Sequence, residues 1–261
     1  MEVQNKTMKL YFLLEIKRAL ISQSFLVGIA LTVIGMVLWI LPKFENYPDM
    51  FEMGRTGSLY WFIWLHGGYT ALFSPVLATI PFARSYAQDR NSGFSRFVLQ
   101  RLSTFRYSVI RLVSNALAGG LVLALPSAGA MLWVTAMFPM IPRIELAQSH
   151  FFWNLSPPSP IVYMGLQITT AFMFGATTAT LGLAASVLFR NSFYANVIPF
   201  FLYTLFAVIA AYSRLVYLSP FVMWDPSINT YATTTSFTVQ YFAVWLVILF
   251  VYIRFFRARE Q

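Results

Sequence analysis

Six long apolar runs alternate with loops whose basic residues lie almost wholly on one side, and this arrangement constrains the chain to a bilayer. A helix needs about 20 predominantly apolar residues to cross the hydrocarbon core. The runs predict spans at about 25–41, 59–82, 110–138, 161–189, 193–212 and 237–256, the third with its apolar centre at Ala116–Phe138. If the runs cross in alternation, the N-terminus, the 83–115 segment, Arg190 and the C-terminus share one face. Every lysine and arginine falls there except Lys43, Arg55, Arg143 and Arg214. The positive-inside rule makes that face cytoplasmic and places both termini inside. The fold class expected is an all-α membrane protein with six transmembrane helices.

Charge is scarce for the same reason. Only 10% of residues are charged and 58% are hydrophobic, against about 25% charged in soluble domains. The net charge of +9 is a topological excess that favours anionic lipid, not a nucleic-acid surface. The chain has no cysteine, which excludes disulfides, thiolate metal sites and cysteine nucleophiles. Its two histidines, His66 and His150, stand apart from any carboxylate cluster, so no metal centre is expected. No signal peptide with a small-residue cleavage site precedes the first run. The expected location is the plasma membrane of a prokaryote.

Residues 8–22 precede the first span. Phe12, Leu13, Ile16 and Leu20 form a stripe at helical spacing, and Glu15, Arg18 and Ser22 are expected to face away from it. Two readings fit this pattern: an amphipathic helix lying on the cytoplasmic leaflet, or an extension of the first span into the cytosol. In the second span Pro75 and Pro81 each remove a backbone donor, so a kink or early end is expected there. Tyr60, Trp61 and Trp64 mark its outer end, where aromatic rings favour the interface. Ala116, Gly120, Ala124 and Ala128 in the third span, and Gly175, Ala179, Gly182 and Ser186 in the fourth, recur at helical spacing. Such small residues let helix backbones approach closely in lipid. Threonines of the fourth span are expected to bond back to their own helix. The segment 213–236 is aromatic but broken by Pro220 and Pro226; a re-entrant element and an interfacial loop fit it equally.

The longest cytoplasmic loop, 83–108, carries the most local pattern. Asp89 and Ser92 are candidate helix N-caps. From Phe94, apolar residues recur at Phe97, Val98 and Leu102, with Ser95, Arg96 and Gln100 on other faces, which predicts a short amphipathic helix. No Gly-x4-Gly-Lys-Ser/Thr phosphate cradle occurs. The spans hold almost no ionisable residue beyond His66, which disfavours ion coupling and intramembrane catalysis. A chain that drives transport without an engine must borrow one.

The loop Asp89-x-x-Ser92-Gly93-Phe94, followed by Arg101, Tyr107 and Arg111, resembles the first cytoplasmic loop of type-2 ABC transporter permeases. Glu15-x-x-Arg18 before an apolar span, with Ser22 and Phe25, is similar to that family's opening pattern, and the length and six runs match its plan. Two positions depart from it. Many members have Glu-x-Gly-Thr before the short helix, and a proline where Leu102 stands.

The resemblance implies a single permease domain over residues 1–261, without enzymatic activity of its own. It implies two copies, or one copy and a homologue, around a pathway, with separate ATPase subunits that bind ATP and Mg. The permease itself would hold no cofactor. It further implies that Asp89, Ser92, Gly93, Phe94, Phe97 and Arg101 form an ATPase-coupling element. Phe12, Glu15, Ile16 and Arg18 would lie on an interfacial helix beside the ATPase, while Gly120, Gly175 and Gly182 pack helices. The expected cargo is a peptide, antibiotic or lipid-like amphiphile moving outward. A membrane sensor or assembly module that recruits a partner is the alternative, as is an ion-coupled carrier with a site around His66 and the fourth-span threonines.

Overall fold

The structure, a computed structural model, describes residues 2–46, 57–140, 159–189, 191–225 and 233–260. Asp49, Glu52, Arg55, Arg143, Glu145, His150 and Arg190 lie outside the described residues. Among the described residues the chain is helical, with no strand. The helices are α1 (Glu2–Leu20), α2 (Gln23–Asn46), α3 (Ser58–His66), α4 (Gly68–Thr79), α5 (Ser85–Asn91) and α6 (Phe94–Leu99). They continue with α7 (Thr104–Met137), α8 (Pro160–Leu188), α9 (Tyr194–Tyr212), α10 (Pro220–Trp224) and α11 (Thr234–Glu260).

Five of these, α2, α7, α8, α9 and α11, are long and apolar enough to cross a membrane. At 34 residues, α7 is about 51 Å long and overshoots a hydrocarbon core of about 30 Å. Its first turns therefore belong to the loop region of the sequence reading, and Tyr107 and Arg111 are helical.

The second apolar run is not one helix. It is divided into α3 and α4, neither of which alone reaches spanning length. The break lies at Gly67–Gly68, not at Pro75, which sits inside α4. Gly68 has φ +59°, and a Cβ there would collide with the indole of Trp39. Only glycine satisfies both conditions. Pro81 follows the end of α4, as its missing donor requires.

Local capping sets several other boundaries. The Ser22 hydroxyl accepts from the Phe25 N–H at 3.1 Å, which starts α2 after the α1 break. Ser103 opens α7 by accepting from the Arg106 N–H at 3.5 Å. Ser219 does the same for α10, with Pro220 in the first turn.

Helix α8 is the axis of the bundle, the most buried of the five long helices. Its main neighbour is α7. Between lipid-immersed helices, apolar burial supplies little association energy, so backbone proximity and dispersion must supply it. Gly175 of α8 lies against the Gly119 carbonyl of α7 so closely that any Cβ would clash. A Cβ on Gly120 would stand 2.6 Å from the Phe172 ring, and one on Gly182 would stand 2.5 Å from the Ala195 carbonyl oxygen of α9. The hydroxyls of Thr177, Thr178 and Thr180 return to carbonyls one turn back. They therefore need no external partner. The peripheral helices turn apolar side chains outward: Leu26, Val33 and Leu38 on α2, Phe201 and Phe206 on α9, Phe242, Leu246 and Phe250 on α11. Several long apolar helices with such outer faces make a multi-pass membrane protein.

Candidate functional site: a buried charge cluster beneath a short hairpin

At one end of the bundle, α1, α5 and the first turns of α7 meet around Arg111. This arginine is fully buried. Its Nη1 donates to the Ser85 hydroxyl at 2.9 Å, and its Nη2 to Glu15 Oε1 at 3.4 Å and to Asp89 Oδ2. The guanidinium lies 5.1 Å from the Tyr107 ring centroid and 5.7 Å from that of Phe82. Asp89 is also gripped from outside by Arg18, whose Nη1 and Nη2 donate to its two oxygens at 2.8 and 2.7 Å. Tyr11 donates its phenol proton to Glu15 Oε1 at 2.6 Å.

Two carboxylates thus face two guanidinium groups, and the cluster is neutral. That balance makes burial tolerable, because an unpaired buried charge costs several kcal/mol (about 3–5 when one partner is removed). Burial alone would raise the Asp89 pKa. The hydrogen bonds and charges of Arg18 and Arg111 outweigh it and hold the carboxyl below its ordinary range. Burial pushes the Tyr11 phenol up, and the Glu15 charge adds to that.

The cluster shows what the face of α1 away from the apolar stripe meets. Glu15, expected to face away from that stripe, is 3% exposed, whereas Leu13 of the stripe is 63% exposed. Phe12 and Ile16 are half-buried. Helix α1 presents a polar residue inward because a cation waits there on α7. The two helices run side by side in one register: Tyr11 beside Tyr107 at 6.1 Å between centroids, Glu15 beside Arg111.

The 83–108 segment also differs from its N-cap reading. Asp89 lies inside α5 and Ser92 follows the end of that helix, its hydroxyl donating to the Asp89 carbonyl at 3.1 Å. The residue that turns the chain into α6 is Gly93, at φ +78° with no neighbour near a notional Cβ. A left-handed residue there reverses the chain between two short helices. The predicted short helix forms as α6. Its inner side is Ser95 and Val98, with Leu102 beyond, so Ser95 is buried rather than turned out. Phe94 and Phe97 point outward, 44% and 67% exposed, and Arg101 is exposed. Arg18 links the two parts: it holds Asp89 and lies 6.0 Å from the Phe94 ring centroid.

Sequence reasoning placed Asp89 and Arg111 in one motif and Glu15 and Arg18 in another. The structure joins all four. The available signal was a single arginine on the same helical face as Tyr107 and Ala118, a face otherwise buried. Ser85 and Tyr11 gave no signal in sequence. Gly120, Gly175 and Gly182 sit deeper, in the helix contacts described above.

Among the described residues no group of His, Asp or Glu is disposed to hold a metal ion. What the cluster can do is fix geometry: it ties the α5–Gly93–α6 hairpin to α1 and to a long bundle helix through charge-assisted bonds. Comparison with family profiles, curated proteins and solved structures finds no match.

Proposed function

We propose that the chain is the membrane-embedded permease subunit of an ABC exporter, driven by a separate ATPase that supplies the ATP and Mg chemistry. The observation that carries this reading is the hairpin. Helix α6 presents two exposed aromatic side chains, and its base is bound to the bundle by Asp89. A force applied at Phe94 or Phe97 therefore reaches α1 and α7 without passing through a flexible loop. Exposed aromatics of this kind serve as anchors in a partner's groove. In this reading α3 and α4 together make the second of six crossings, and both termini and the hairpin are cytoplasmic. Two permease copies enclose a path for an amphiphilic cargo.

The experiment begins with the tagged chain purified from its native membranes in mild detergent. Expected is a co-purifying protein identified by mass spectrometry as an ATPase, with ATP-dependent, vanadate-sensitive transport after reconstitution. Phe97→Asp should abolish both association and transport. Transport driven by an ion gradient without nucleotide, or full activity of Phe97→Asp, would refute the proposal. Because the chain lacks cysteine, Arg101→Cys can be labelled uniquely; modification by an impermeant reagent from outside intact cells would equally overturn the orientation.

A further inference from the structure

A second polar group is closed inside the bundle about 24 Å further along α7 than Arg111. His66, the last residue of α3, is 1% exposed. Its ring lies parallel to Trp224 of α10, centroids 4.4 Å apart and planes 10° apart, and Phe62 covers the other face at 5.6 Å and 17°. The Ser127 hydroxyl stands 3.4 Å from Nδ1 and donates its own proton to the Leu123 carbonyl at 2.9 Å. With that proton on the carbonyl, the hydroxyl can only accept from the imidazole, which favours the tautomer with the ring proton on Nδ1. Nε2 is left with a buried lone pair and no hydrogen-bond partner.

The groups facing the ring are Phe62 on α3, Ser127 on α7, and Trp224 with Asp225 at the end of α10. Burial works against a charge on the ring, and among the described residues Asp225 is the ionisable group whose charge works in favour of one. It is 3% exposed, and its Oδ1 accepts from Gln167 Nε2 of α8 at 2.6 Å. Tyr163 lies behind, its hydroxyl 3.4 Å from the same Gln167 nitrogen. Trp224 reaches the backbone as well: its Nε1 donates to the His66 carbonyl at 3.2 Å. That carbonyl adjoins the Gly67–Gly68 break between α3 and α4. One indole thus holds both the ring and the joint.

An unfilled acceptor, a carboxylate in range and two aromatic faces are what a cation formed in place would need. An imidazolium gains from the ring quadrupoles and from the opposite charge, and its added N–H is formed where a lone pair was idle. We propose that His66 is a proton-binding site inside the bundle, filled at Nε2 and balanced by the Asp225 carboxylate, and that proton uptake clamps the α3–α4 joint onto α10. The step is a simple transfer: hydronium gives its proton to the Nε2 lone pair, imidazole becomes imidazolium, and water leaves. The proposal stands apart from the exporter reading, and its test involves no ATPase.

The chain has two histidines, so His150→Gln leaves a single imidazole to observe. The full chain carrying that substitution and 15N-labelled histidine is reconstituted in nanodiscs and titrated by NMR from neutral pH to the onset of acid unfolding, followed by far-UV circular dichroism. Expected is the Nδ1–H tautomer at neutral pH, converting to imidazolium while helicity is intact. Asp225→Asn keeps an oxygen for the Gln167 amide and should weaken proton binding roughly tenfold, about one pH unit. Amides of α10 should exchange several-fold more slowly once His66 is charged, relative to intrinsic rates. His66→Phe, which keeps the ring stack, should remove that pH response; if Asp225→Asn does not fold, this arm decides alone. An Nε2–H tautomer at neutral pH, no imidazolium before unfolding, an unmoved midpoint in Asp225→Asn, or a pH response retained by His66→Phe would overturn the proposal.

Discussion

Replacing Arg111 by methionine tests whether the charge cluster is what holds α1 and the hairpin to the bundle. Methionine fills similar volume but donates no hydrogen bond. Asp89 would keep its two bonds from Arg18 at 2.8 and 2.7 Å. Glu15 would keep the Tyr11 hydroxyl, and Arg18 only at 3.8 Å. The stranded charge is therefore that of Glu15, 3% exposed and with Oε2 already unpartnered. Removing one member of a buried pair costs about 3–5 kcal/mol. The surviving bonds place this case near about 3 kcal/mol. For a chain of this size ~1 kcal/mol moves Tm by about 2–4 °C, so the expected drop is roughly 6–12 °C. Arg18→Met removes two bonds to Asp89 where Arg111→Met removes one, but its side chain is 44% exposed and water replaces much of the loss. Its cost should be about 1 kcal/mol, or roughly 2–4 °C. Adding Glu15→Gln to Arg111→Met removes the stranded charge while preserving an acceptor for Tyr11, so the double variant should be more stable than Arg111→Met alone. Thermal unfolding in detergent micelles, followed by intrinsic fluorescence, reads all four proteins. The reasoning is refuted if Arg111→Met is no worse than Arg18→Met, or if Glu15→Gln adds to its damage.

Three further outcomes follow from the same structure. The folded Asp89 carboxyl sits below its ordinary pKa of 3.8; its contribution is whole above that value and is lost as pH falls through the depressed folded one. Asp89→Asn should flatten the acid limb of a Tm-against-pH curve. Gly175→Val drives a side chain into the Gly119 carbonyl and should abolish the folded state, whereas Gly129→Ala, with open space around it, should be neutral or gain up to ~1 kcal/mol; limited proteolysis separates them. Phe97→Asp alters a side chain that is 67% exposed and should leave Tm within about 2 °C, so any loss of transport it causes is a loss of association, measured by co-purification.

Much of this molecule follows from patterns within single segments. The long apolar runs become α2, α7, α8, α9 and α11 because a helix that meets lipid needs only enough consecutive apolar residues. The small residues near Gly120 and Gly175 mark the closest helix contact because a missing Cβ is a local property. The short helix after Gly93 was legible for the same reason. The second run was misread as one helix because its break depends on Trp39, which approaches Gly68 from α2 and cannot be seen in the run itself. The burial of Glu15 was not legible because residues 8–22, considered alone, give a carboxylate no reason to be buried.

That reason is a guanidinium on another helix. Hydropathy and helical period are additive along a chain, so sequence alone decided that this protein is helical, membrane-embedded and closely packed. Electrostatic pairing is not additive: a buried charge is ruinous alone and acceptable beside its partner. Whether Glu15, Asp89 and Arg111 share a site, and whether His66 meets Trp224 and Asp225, was settled only when tertiary contacts brought distant segments within a few ångströms.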